Sequence, residues 1–75
     1  MENKYGFLRY EYLHDKNFNV IDISGKEQIV EKGDILYNID GIMYYHDQCE
    51  DKLVKLVFDM EKFFDDHIYL LFEQL

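Results

Sequence analysis

Apolar residues recur every three or four positions through the last third of the chain. Leu53, Leu56, Val57, Met60, Phe63, Phe64, Leu71 and Leu75 follow the i, i+3, i+4, i+7 spacing of a buried helical face. Lys52, Lys55, Asp59, Lys62, Asp66 and Glu73 make the opposite, charged stripe. Three pairs of opposite charge, Asp51 with Lys55, Lys55 with Asp59 and Lys62 with Asp66, stand four apart, where helical neighbours attract. Asp47 and Glu50 have the spacing of a capping box at the start. The pattern predicts one long amphipathic helix from Gln48 to Leu75, capped by Asp47.

A second apolar row runs through Val54, Phe58, Ile68, Tyr69 and Phe72, interrupted by Glu61 and Asp65. A continuous helix of this length spans roughly 42 Å, whereas a six-residue strand spans about 20 Å. Such a helix either overhangs its sheet or breaks near Asp65-Asp66, where an aspartate could cap a second short helix.

Upstream the period is two. Leu8, Tyr10 and Tyr12 alternate with Arg9 and Glu11, which predicts a half-buried strand from Tyr5 to Leu13. His14-Asp15-Lys16-Asn17 is a polar turn, and Phe18 to Ser24 is a second strand rich in β-branched residues. These two strands are expected to form a first hairpin. Residues 24–34 read two ways. Ser24 with Glu27 could cap a short helix closed by Gly33. Gly25-Lys26 could instead turn a hairpin into a strand at Gln28-Ile29-Val30, the favoured reading. Asp40-Gly41 lies between Ile-Leu-Tyr-Asn-Ile and Ile-Met-Tyr-Tyr, the strongest local signal for a type I′ hairpin. Its register sets Ile39 opposite Ile42, Tyr37 opposite Tyr44 and Ile35 opposite His46. That Ile/Tyr face is expected to meet the helix, with Leu36, Asn38, Met43 and Tyr45 on the other side.

The expected fold class is α+β: a small antiparallel meander of four or five strands packed on one long C-terminal helix. One domain spans residues 1–75, with the meander at 1–46 and the helix at 47–75.

Composition narrows the function classes. The 75 residues carry a net charge of −8. Both halves are acidic, and the excess is larger after residue 46. Phosphate backbones and anionic lipid surfaces demand basic patches, so direct nucleic-acid and membrane binding are disfavoured. A basic protein surface is the natural complement. No apolar run is long enough to span a bilayer, and Met-Glu-Asn-Lys-Tyr-Gly lacks the hydrophobic region of a secretion signal. Cys49 is the only cysteine, consistent with a reducing, cytoplasmic setting. Ala, Thr, Pro and Trp are absent and Arg occurs once, a bias that suggests a low-GC bacterial or phage genome.

No catalytic motif appears. His46, Asp47, Cys49 and Glu50 cluster, but structural zinc sites want paired Cys/His ligands. Asp47 and Glu50 are accounted for by capping and Cys49 as a small apolar residue. A Cys49 nucleophile needs a positioned base and a third group, which the sequence does not supply. His14-Asp15 and Asp66-His67 are adjacent pairs of the kind found on surfaces. Neither a metal, a cofactor nor an enzymatic activity is expected.

The expected function is a small acidic, non-enzymatic protein–protein interaction module. One version is a phage or mobile-element inhibitor that occludes a basic host protein, with nucleic-acid mimicry as a route. Glu61, Asp65, Asp66 and Tyr69 are the candidate partner-binding residues, aromatics anchoring and acids selecting. The alternatives are a homodimeric structural or assembly protein and a small-ligand binder using Tyr37, Tyr44 and Tyr45. A homodimer is expected in either case, with Phe58, Ile68 and Phe72 at its interface, because a second apolar row on the helix would otherwise face water.

Overall fold

The computed structural model describes residues 8–75, and its order is mostly β. The strands are β1 (Leu8–Tyr12), β2 (Phe18–Ile21), β3 (Glu27–Val30), β4 (Ile35–Ile39), β5 (Ile42–Asp47), β6 (Lys52–Asp59) and β7 (Phe72–Gln74). One short helix, α1 (Met60–Asp65), and a 3₁₀ turn (Ile68–Leu71) separate β6 from β7. Five strands form an antiparallel sheet in the order β6-β5-β4-β1-β7. β2 and β3 pair as a separate hairpin. The strands expected before residue 47 and the β4-β5 hairpin agree with the sequence pattern; β6 falls where the helix was expected, and the α+β class and the long C-terminal helix do not hold.

The correction has a local cause. Residues 52–59 carry two periods at once. Leu53, Leu56 and Val57 suit a helix, while Val54, Leu56 and Phe58 suit a strand face against Lys55, Val57 and Asp59. The strand wins: Leu56 and Phe58 are buried and their neighbours Val57 and Asp59 are exposed. β-Branched Val54 and Val57 and aromatic Phe58 favour that outcome. Asp47 does cap, but it caps a turn. Its Oδ1 accepts from the amides of Cys49 (3.0 Å) and Glu50 (3.3 Å). Asp51 then turns into the left-handed region (φ 51°) and Lys52 pairs back with Asp47. A ~42 Å rod would exceed the longest extent of the molecule, 29 Å.

The chain breaks near Asp65-Asp66, one of the two alternatives the sequence left open, but the helix before the break is only 6 residues long. Asp59 caps α1 through its Oδ1, which accepts from the Lys62 amide (3.0 Å). The helix stops at Asp65, Asp66 is its C-cap, and His67 sits at φ 58° before the 3₁₀ turn. Of the three charge pairs expected on a helix, Lys62–Asp66 is formed, at 3.0 Å. Lys55 and Asp59 lie instead in β6.

The Asp40-Gly41 turn is as expected. Both residues have positive φ, 54° and 83°, Ile39 faces Ile42 and Tyr37 faces Tyr44, and the Asn38 side chain accepts from the Gly41 amide (3.0 Å). The face assignment is reversed. Leu36, Met43 and Tyr45 look into the core, and Tyr37 is buried on the opposite side of the sheet. The expected β1–β2 hairpin is also not formed, since β1 pairs with β4 and β7. The expected start of the first strand at Tyr5 lies outside the described residues. Strand β3 agrees with the favoured strand at residues 28–30, but the two-residue turn expected at Gly25-Lys26 is not formed. Its turn is a three-residue loop, Ile23 to Gly25, in which the Gly25 amide donates to Asp22 O and the Asp22 amide to Lys26 O, both at 2.9 Å.

Every element contributes to one core: Tyr10, Tyr12, Val20, Val30, Leu36, Met43, Leu56, Phe58, Phe63 and Phe72. The link from β6 to β7 must cross from one edge of the sheet to the other, and α1 makes that crossing with Phe63 facing inward. Phe63 is fully buried, its ring centroid 4.9 Å from Tyr10 and 5.5 Å from Phe72. Phe58 and Phe72, assigned from sequence to a dimer interface, thus lie in the chain's own core, and Ile68 packs against it. The reason for expecting a homodimer through these three residues, a continuous helix with a second row in water, falls with the helix.

Candidate functional site

Two surfaces flank α1. The first is an acidic, aromatic corner. Glu61, Phe64 and Asp65 are spaced i, i+3, i+4, so they share one side of the helix. Burial of Phe63 fixes that side outward: Glu61 and Asp65 are exposed and Phe64 is 45% exposed. Tyr69, on the 3₁₀ turn, brings its ring 5.3 Å from that of Phe64, and the His67 ring stands 6.1 Å from Tyr69. Leu70 beside it is 65% exposed. The left-handed backbone at His67 makes this sharp corner. Three of the sequence-predicted partner-binding residues, Glu61, Asp65 and Tyr69, therefore come together around Phe64, which sequence reasoning had assigned to the buried face. Asp66 lies on the other side of the helix, with its charge met by Lys62 at 3.0 Å. Among the described residues no ion pair involves Glu61 or Asp65.

The second surface is an apolar cleft on the Lys62 side. Strands β2 and β6 meet at one bridge, Asp22 with Leu56, reinforced by the Ile23 amide donating to Lys55 O (3.0 Å). Beyond it they diverge and leave a cleft of about 450 Å³. Phe18, Val20 and Phe58 form its floor, from the core side. Ile21, Val57 and Ile68 form its walls, and Lys62 is the charged residue at its end. Val57 is 66% exposed, unusual for a valine on a strand, and Ile21 opposite it is also exposed. Sequence reasoning missed this cleft, because the residues that line it were divided between a predicted meander and a predicted helix.

Asp22 holds the hinge of the cleft. Its side chain is buried, and its Oδ1 accepts from the amides of Ser24 (2.9 Å) and Lys26 (3.1 Å) and from the Ser24 hydroxyl. Its Oδ2 accepts from the Gln28 side-chain amide (2.9 Å). The Ser24 hydroxyl first, then the Gln28 amide, hold the carboxyl down at about 2, below its ordinary 3.8.

The other candidates are dispersed. Cys49 is exposed at the tip of the β5–β6 hairpin. His46 contacts Asp51 Oδ1 at 3.0 Å and meets the Tyr37 ring edge-on at 6.0 Å. Asp15 pairs with Lys32 at 3.2 Å. Among the described residues no group of three or more His, Cys, Asp or Glu side chains is placed to hold a metal ion. The three tyrosines proposed for a ligand do not share a face: Tyr45 packs against the core, and Tyr37 and Tyr44 lie on the opposite side. Tyr45 is pushed up to about 12, by burial first and then by the nearby charge of Asp34. Among the described residues no helix is long and apolar enough to cross a membrane.

No family model, no curated protein and no solved structure matches this chain.

Proposed function

We propose that the chain is a small, non-enzymatic protein–protein interaction module, cytoplasmic in setting, whose partner presents a basic surface. The observation that carries this reading is the corner at α1 and the 3₁₀ turn. Phe64, Tyr69 and Leu70 are exposed there beside Glu61 and Asp65, which have no ion-pair partner among the described residues. Exposed aromatics supply anchoring area, and unpaired acids at the rim steer and select a cationic partner. The net charge of −8 adds a long-range attraction for such a partner and opposes self-association.

The test is a titration with a capped lysine-rich peptide containing one phenylalanine, followed by calorimetry at low and at physiological salt. Binding that weakens with salt is expected. In Glu61→Lys/Asp65→Lys the affinity and its salt dependence should both fall, with the melting curve preserved. Asp66→Lys should matter less, because Lys62 already meets that charge. Unchanged affinity in the double variant removes this corner from the function.

A further inference from the structure

Resting on that reading, we infer that the β2–β6 cleft is a second anchoring point for the same basic partner. Its occupant is an extended segment with one bulky apolar side chain, flanked by lysine or arginine.

Shape and lining set the apolar part. The cleft's 450 Å³ exceeds the volume of any single side chain, and its floor presents the rings of Phe18 and Phe58 with Val20. A phenylalanine-sized group fits such a floor by edge-on or tilted packing, the arrangement Phe18 and Phe58 already adopt at 6.5 Å and 76°. Soluble chains seldom leave Val57 and Ile21 exposed side by side over an apolar hollow unless something covers them.

Backbone direction sets the extended part. The Asp22 amide points to β3, and the Ile23 amide points to β6. Alternation along β2 then turns the backbone of Asn19 toward the cleft, away from β3. An edge of this kind is what an added strand pairs with.

Charge sets the flanks. Lys62, the charged residue lining the cleft, is already met by Asp66 at 3.0 Å, so it does not offset the chain's charge of −8 there. A cationic flank is drawn by the overall charge of −8, and an anionic segment is repelled by it.

The experiment compares two capped peptides, one with a single phenylalanine flanked by lysines and one with serine in its place. Each is titrated into the wild type, Val57→Arg and Leu8→Arg. Both substitutions fall on exposed residues and change charge equally, but only Val57 lines the cleft. Burial of a phenylalanine predicts roughly tenfold or greater preference for the phenylalanine peptide. Val57→Arg should abolish that preference and Leu8→Arg should keep it, with melting curves confirming that both variants fold. Equal binding of the two peptides, or equal loss in both variants, overturns the cleft assignment and leaves the basic-partner reading standing. Binding of neither peptide overturns both. Concentration-dependent self-association of the wild type that Val57→Arg removes assigns the cleft to a second copy instead and also overturns the inference.

Discussion

Asp22 bridges Leu56, and that contact fastens the β2–β3 hairpin to the outer edge of the main sheet. The Asp22 carboxylate organises its own loop while it does so, through Ser24, Lys26 and Gln28. Asp22→Ala should lower the melting temperature and loosen the hairpin, because the Ser24, Lys26 and Gln28 donors lose their shared acceptor. Asp22→Asn should cost less, since Gln28 can turn its amide over to meet the new donor. The pH dependence has a definite sign. Folding depresses the carboxyl from 3.8 to about 2, so its stabilisation is present above 3.8 and is lost as pH falls toward 2. Thermal melts across that range should show the loss in the wild type and a flatter profile in Asp22→Asn.

Tyr45 predicts the opposite behaviour at high pH. Its phenol is raised from 10.0 to about 12 by burial and by Asp34, so the folded state holds its proton longer than the unfolded chain. Its contribution to stability is complete below 10.0 and is lost as pH rises through about 12. Tyr45→Phe should flatten the alkaline fall in stability and remove one late phenolate step from an ultraviolet titration.

Phe63 and Phe64 are neighbours with opposite fates. Phe63 is fully buried between Tyr10, Phe58 and Phe72, and Phe64 is nearly half exposed. Phe63→Ala should cost about 3–5 kcal/mol, a large share of the roughly 5–15 kcal/mol of a native protein. Phe64→Ala should cost about 1 kcal/mol or less yet weaken peptide binding. Urea denaturation of the two variants separates the roles.

Gly41 sits at φ 83° in the β4–β5 turn. Open space surrounds its α-carbon, so a substitution there reports backbone strain alone. Gly41→Val should lower stability by about 1–2 kcal/mol, read from thermal melts.

What was legible in the sequence was local. Asp40-Gly41 has one good solution, and its turn and register emerged as expected. Residues 24–34 were less plain: Ser24 could also have capped a helix, and the turn that forms is Ile23 to Gly25 rather than Gly25-Lys26. What was not legible depended on contacts far apart in the chain. In Leu53-Val54-Lys55-Leu56-Val57-Phe58 the helical and strand periods coincide. Pairing with β5 on one side and the Asp22 bridge on the other decides between them. Asp47 signalled a helix start because aspartate caps a turn with the same hydrogen bonds. The acids and Tyr69 of the corner were recognisable as binding chemistry, but Phe64 joined them only because Phe63 took the inward position. The cleft had no local signature, since it exists only where β2 and β6 part.

Chemical-shift mapping tests the central claim most directly. Uniformly labelled protein is titrated with the lysine-flanked phenylalanine peptide, and backbone and methyl shifts are followed. The account predicts saturable shifts concentrated at Ile21, Val57 and Ile68 in the cleft and at Phe64 and Tyr69 on the corner, with Asp34, Asp47 and Tyr45 unmoved. Shifts spread evenly over all acidic residues, or centred on Asp34 and Asp47, would contradict it.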